Sequence, residues 1–220
     1  MKTLIIAPHP DDEILGVGGT ALRRKAEGGG VAWLIVTSIS VGDGWPQEKV
    51  DKRAAEIERV RELIGFDEVY QLGFPAANVD KFPLGDLVQS FSDVFKSFEP
   101  DEVFLPHFSD VHSDHRVTFD AVAGCTKWFR YPSVKRVLAY ETLSETEFGL
   151  GGQTKFSPNF YIDISAHLEK KLEAMSVYES ELGVFPFPRS NEAIRALATL
   201  RGAASGCLAA EAFELLRERQ

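Results

Sequence analysis

Residues 4–30 read LIIAPHPDDEILGVGGTALRRKAEGGG, and this stretch decides the fold class. Its first four residues are a short apolar run stopped by Pro8, the mark of a strand covered on both faces. Residues 14–27 then place apolar side chains at helical spacing and stop at Gly28, Gly29 and Gly30, where glycine readily takes the left-handed conformation that ends helices. A strand, a tight polar turn and a helix in direct succession form the opening unit of a βαβ fold.

The same alternation continues outward. Residues 31–37, 68–72 and 102–106 are short runs rich in β-branched or aromatic side chains. Between them, residues 47–64 carry Ala54, Ile57, Val60 and Ile64 at helical spacing with Gly65 as the stop, and residues 84–98 do the same before Pro100. This order predicts an α/β protein, a Rossmann-like three-layer sandwich with a mostly parallel sheet and helices on both faces. A fourth helix is expected at 115–128, strands at 134–140 and 160–164, and C-terminal helices at 166–181 and 191–217. No internal repeat or long linker interrupts the chain, so residues 1–220 are expected to form a single domain.

The balance of 33 acidic against 24 basic residues gives a net charge of −9, which argues against nucleic acid or an anionic membrane as partner. The two cysteines, Cys125 and Cys207, lie far apart and outside any CxxC arrangement. They read as small buried groups in a reducing compartment. The N-terminal apolar run is too short for a signal peptide or a membrane span, so a cytoplasmic protein is expected.

Two polar clusters carry the chemistry. His9-Pro10-Asp11-Asp12-Glu13 follows the first strand, and His107 to His115 follows the strand ending at Pro106, with Asp110, His112 and Asp114 between. Crowded carboxylates raise one another's pKa, and a divalent cation relieves that repulsion. The plainer alternatives are an acidic turn at the positive end of a helix and a polar loop with Asp114 as N-cap. Both clusters fall at carboxyl ends of strands, where a parallel sheet binds ligands. Two histidines and a carboxylate with an open position suit catalytic Zn2+, with iron or another divalent cation as the alternative.

The paired motifs, Ala7-Pro8-His9-Pro10-Asp11-Asp12-Glu13 and His112-Ser113-Asp114-His115, resemble those of the LmbE-like or PIG-L zinc N-deacetylases. The likeness extends along the chain through Arg53 and Glu56 on the second helix and Arg201-Gly202 before Ala-Glu-Ala-Phe. It implies His9, Asp12 and His115 as metal ligands and Asp11 as general base. His112 would stabilise the oxyanion or protonate the leaving amine, and Asp114 would orient a neighbouring histidine. Arg53 and Arg201 are the implied substrate contacts. The expected substrate is a small N-acylated amino sugar or nucleotide-sugar-like conjugate, and the resemblance further implies a homo-oligomer. Convergence on one ion requires the His9 and His115 imidazoles to lie within about 8 Å.

The chain departs from the family pattern at Pro8, at Ser113, where proline is common, and at Tyr178-Glu179-Ser180-Glu181, where a His-x-Ser-Gln element is frequent. The stretch Phe185-Pro186-Phe187-Pro188-Arg189 reads as a rigid loop shaping the pocket, an interface, or plain packing. Three other functions compete. An amidase for a thiol conjugate or other non-sugar amide shares the chemistry, and a non-catalytic metal- or sugar-binding module shares the fold. A dinucleotide-binding oxidoreductase is suggested by Gly16-Val17-Gly18-Gly19-Thr20-Ala21, but there the first glycine should sit in the turn that leaves the strand, and Gly16 comes too late.

Overall fold

A computed structural model describes residues 1–150 and 155–220. In chain order the elements are β1 (Lys2–Ala7), α1 (Asp12–Ala26), β2 (Gly30–Ser38), α2 (Gln47–Ile64), β3 (Glu68–Pro75), α3 (Leu84–Phe98) and β4 (Glu102–Pro106). They continue with α4 (Ser113–Gly124), β5 (Arg136–Tyr140), β6 (Phe160–Asp163), α5 (Leu168–Met175), α6 (Asn191–Ser205) and β7 (Ala210–Glu218).

One seven-stranded sheet has the order β3-β2-β1-β4-β5-β7-β6. The first five strands run parallel, while β7 pairs antiparallel with both β5 and β6. Each central strand splits its side chains between two cores, as the two-residue period of a strand requires. Ile5 and Ala7 face the core built with α1, α2, α5 and α6, whereas Leu4 and Ile6 face the core built with α3 and α4. Trp33 and Leu34 divide in the same way.

Helix α1 lies very close to the sheet. A Cβ at Gly16 would overlap the Tyr140 ring, and one at Gly19 would stand 2.7 Å from Ile164. The glycine run therefore serves helix–sheet packing rather than a phosphate loop.

The C-terminus corrects the expectation from sequence. Helix α6 ends at Ser205, capped by Gly206 at φ 82°, and residues 210–218 form a strand instead of continuing the helix to 217. Local helix propensity loses to pairing: β7 fills the gap between β5 and β6, with Phe213 in register with both Tyr140 and Phe160. The fifth helix is also shorter than expected, covering Leu168–Met175 rather than 166–181, and α4 stops at Gly124 rather than 128.

Buried Glu211 of β7 makes the strand a tie. Its carboxylate accepts from the Gly19 and Thr20 amides at 2.8 and 2.7 Å and from Lys171 Nζ at 2.6 Å. Lys171 also donates to the Leu15 carbonyl at 2.8 Å, so α1, α5 and β7 are joined through one ion pair. Among the described residues, no helix is long and apolar enough to cross a membrane.

The chain leaves β1 toward β2 on one side and returns to β4 on the other. This reversal opens a crevice at the carboxyl ends of β1 and β4, where both polar clusters sit.

Candidate metal centre and active site

The loop after β1 and the N-terminus of α4 face each other across that crevice. The His9 and His115 rings lie 5.4 Å apart between centroids, and His9 and His112 lie 4.6 Å apart. His9, Asp12 and His115 each offer one donor atom to a group spanning less than 4.8 Å. Asp12 Oδ2 is central to it, 3.3 Å from His9 Nδ1 and 3.2 Å from His115 Nε2.

The outer nitrogens are also accounted for. His9 Nε2 lies 3.0 Å from Asp114 Oδ2, and His115 Nδ1 lies 2.9 Å from Asp110 Oδ2. Each imidazole thus has a carboxylate on its far side, the arrangement that fixes tautomer and ring orientation around a cation. Among the described residues, buried His115 Nε2 faces Asp12 Oδ2 at 3.2 Å without a well-formed hydrogen bond, and a cation would supply the missing partner. Donor set, spacing and orphaned nitrogen all fit a divalent ion.

A second group, His9, His112 and Asp114, is equally compact but fits a cation less well. Asp114 already accepts from the Ala77 and Val79 amides at 2.7 and 3.2 Å. His112 Nδ1 accepts from the Asp114 amide at 3.1 Å as the N-cap of α4. In the neutral ring this leaves the proton on Nε2, so His112 is a donor to the crevice. Burial and then His9 hold the His112 pKa below its usual value, which favours that neutral form.

Charge in the cluster is uneven. Burial opposes protonation of His9 and His115, but Asp114 and Asp12 raise His9 to about 9, and Asp12 and Asp110 raise His115 to about 10. Burial disfavours the Asp12 carboxylate too, yet His115 and His9 hold it well below the usual range.

Asp11 lies outside the group formed by His9, Asp12 and His115. It is the N-cap of α1 at φ 135° and ψ −30°, a conformation rare for a residue with a side chain. Burial pushes its carboxyl up to about 8, with Asp12 and Glu181 adding to the effect. Glu13 fixes the turn by accepting from the Asp11 amide at 3.0 Å and from the Tyr178 hydroxyl at 2.7 Å.

Arg53 and Arg201 do not share a cavity. Arg53 lines a cleft of about 620 Å³ that reaches His9. Its guanidinium donates to the Pro10 carbonyl at 2.9 Å and to Glu181 at 2.5 Å, and Nε lies 3.3 Å from Glu56. Arg201 lines a separate cavity of about 670 Å³ and is held bidentate by Glu141 at 2.8 and 2.6 Å. His107 points away from the triad, its Nε2 3.4 Å from Glu214.

Sequence reading missed two features. Asp110 backs His115, a role that loop spacing alone does not reveal. Arg189, from the proline-rich stretch, reaches Glu181 at 3.3 Å and Ser144 at 3.2 Å, and its Nη1 lies 3.9 Å from Asp11. The presence of a lone arginine after Phe-Pro-Phe-Pro was the available signal.

The family model of PIG-L, described as GlcNAc-PI de-N-acetylase, matches residues 4–126. The chain is 26% identical to a diacetylchitobiose deacetylase of Thermococcus kodakarensis over 98% of this chain and 83% of that one. It is 25% identical to a probable N-acetyl-alpha-D-glucosaminyl L-malate deacetylase of Bacillus anthracis, covering 81% and 80% of the two chains. The crystal structure of the conserved protein TT1542 from Thermus thermophilus superposes with a TM-score of 0.80 at 26% identity, covering 99% of this chain and 96% of that one.

Proposed function

Because this chain belongs to the PIG-L family of de-N-acetylases and is a hydrolytic N-deacetylase, we propose that it removes an N-acetyl group from an amino sugar or sugar conjugate. His9, Asp12 and His115 would hold a divalent cation, zinc first. The observation that carries this reading is the compact triad in which both imidazoles are backed by carboxylates. A cation bound there supplies a Lewis acid for the amide carbonyl and for the attacking water.

The remaining work falls to the chain's own side chains. An amide is a weak electrophile with a poor leaving group, so a proton must leave the water and another must reach the nitrogen. Asp11, buried beside the triad, takes the first proton in its ionised form, which burial restricts in the cation-free protein by raising the carboxyl to about 8. His112, with its Nδ1 engaged by the Asp114 amide, has Nε2–H left to stabilise charge growing on the carbonyl oxygen or to donate to the departing amine. Asp114 is a positioning residue. It holds His9 through its carboxylate and His112 through its backbone amide.

Acetate release by the zinc-loaded protein from a panel of N-acetylated sugars, glycosides and nucleotide sugars, followed by mass spectrometry, tests this reading. Loss of 42 mass units, about one acetyl replaced by hydrogen, is expected from at least one amino sugar. Cleavage of thiol-conjugate amides alone, with every sugar intact, would replace it by the amidase alternative.

A further inference from the structure

The Asp11 carboxylate, next in the chain to the proposed ligand Asp12, has few contacts to hold it. As N-cap of α1 it makes no side-chain hydrogen bond to that helix. Among the described residues its only ion-pair partner is Arg189, whose Nη1 lies 3.9 Å from Oδ2. A general base must keep one oxygen aimed at the attacking water, and a misplacement of about 1 Å costs about 10² in rate.

The Arg189 guanidinium is itself fixed on several sides. Nε donates to the Glu181 carbonyl at 3.0 Å, Nη2 to Glu181 Oε2 at 3.3 Å and Nη1 to Ser144 Oγ at 3.2 Å. Its central carbon lies 5.5 Å from the centre of the Phe187 ring. The backbone leaves little slack. The Phe187 amide donates to the Val184 carbonyl and the Ser190 amide to that of Phe187, and buried Ser190 caps α6 by accepting from the Ala193 amide at 3.1 Å. A Cβ at Gly183 would stand 2.4 Å from the Phe187 ring, so this loop is packed against itself.

The same segment governs the other end of Asp11. Tyr178 donates to Glu13, and Glu13 accepts from the Asp11 amide. Residues 178–189 thus reach the Asp11 backbone through Tyr178 and its carboxylate through Arg189. The two loop residues that Arg189 Nη1 meets, Asp11 at φ 135° and Ser144 at φ 77°, both hold a positive φ that side chains rarely adopt. Such strain persists only where the surroundings over-determine it.

We propose that Arg189 is a positioning residue for the deacetylation, holding the Asp11 carboxylate in the orientation from which it takes the proton of water and binding no part of the substrate. Glu181 and Ser144 occupy its nitrogens, so no free fork is left for a substrate anion. The inference rests on the reading above, in which Asp11 is the base.

The experiment measures kcat, KM and bound zinc for Arg189→Ala, Asp11→Asn and the double variant, with acetate release from N-acetylglucosamine and its N,N'-diacetyl disaccharide. In Arg189→Ala, kcat should fall by about 10² while KM stays within about twofold and zinc stays near one per chain. Guanidinium ion added below denaturing concentration should restore part of kcat, and Arg189→Lys should lie between parent and alanine variant. In the Asp11→Asn background the alanine change should lower the residual rate no further, because the group it positions is gone. A raised KM at unchanged kcat would make Arg189 a substrate contact, and losses that multiply in the double variant would give it a separate role. Either result overturns the proposal. Turnover lost in Asp11→Asn but kept in Arg189→Ala does the same and leaves the function reading intact. If no N-acetylated sugar is cleaved, or Asp11→Asn is fully active, the reading above fails, and crystal structures still decide the positioning. The Asp11 carboxylate should turn from its parental orientation in Arg189→Ala, and an unmoved carboxylate counts against Arg189. Should the alanine variant not fold, Arg189→Gln replaces it in every comparison.

Discussion

Asp11 and Asp12 are neighbours with opposite environments, and the difference is made by backbone geometry. Asp12 begins α1 and turns its carboxylate between two imidazoles, while Asp11 at φ 135° is turned out of that group. Asp11→Asn should therefore keep the bound cation, as measured by elemental analysis, while turnover falls by about 10² to 10⁴. Near-normal rates would place the base elsewhere. His115→Ala removes a triad member, and zinc near one per chain should be lost with activity. Retention of stoichiometric zinc in that variant would remove His115 from the ligand set. The clusters containing these residues were legible in the sequence because their residue types are costly to crowd without a cation. The division of labour proposed for them is implied only by the family resemblance. The roles of Asp110 and Arg189 were not legible, since they depend on which side chains a loop turns inward.

At the scale of elements, α1 is the part most constrained by its neighbours. Its glycines are sites of contact, and the sequence pattern showed them without showing what they touch. Gly16→Val would drive a side chain into the Tyr140 ring, whose hydroxyl is itself held by the Ile6 carbonyl at 2.8 Å. A loss of about 1–3 kcal/mol or more in denaturant unfolding is expected, and an unchanged midpoint would mean that α1 moves freely. The Lys171–Glu211 pair makes a sharper prediction. Removing one charge, as in Lys171→Met, leaves Glu211 buried without its cation and should cost about 3–5 kcal/mol. The double variant Lys171→Met with Glu211→Gln should recover part of that loss, because glutamine keeps one acceptor for the α1 amides. Additive losses in the double-mutant cycle would show that the pair is not coupled. The parallel half of the sheet was readable because buried strands and amphipathic helices differ in period. Strand β7 was not, because Ala-Glu-Ala-Phe-Glu-Leu-Leu favours a helix locally and becomes a strand only where β5 and β6 leave a place for it.

For the molecule as a whole, the cation and the proton compete for the same groups, and this sets how stability varies with pH. In the cation-free protein, His9 and His115 keep their protons to about 9 and about 10, above the 6.5 of a free imidazole. The stability they contribute is complete below 6.5 and is lost as pH rises through those values. Asp11 and Glu13, raised chiefly by burial to about 8, also hold protons that the unfolded chain releases near 4. Ionising them costs stability progressively between those limits, so all four groups act in one direction from pH 6 to 8.5. Asp12, held well below the usual range, contributes throughout this window and drops out only in acid. The chelated protein should therefore melt at a lower temperature at pH 8.5 than at pH 6. Cation binding requires deprotonated ligands, so its contribution rises over the same interval. At a free zinc concentration of about 100 Kd the stabilisation is about 2.7 kcal/mol, or roughly 5–10 °C in Tm for a chain of this size. Scanning calorimetry with chelator and with zinc should show the gap between the two forms widening toward pH 8.5. A gap that narrows, or a chelated protein that grows more stable on the alkaline side, would mean that the buried carboxyls and imidazoles do not exchange their protons for a cation.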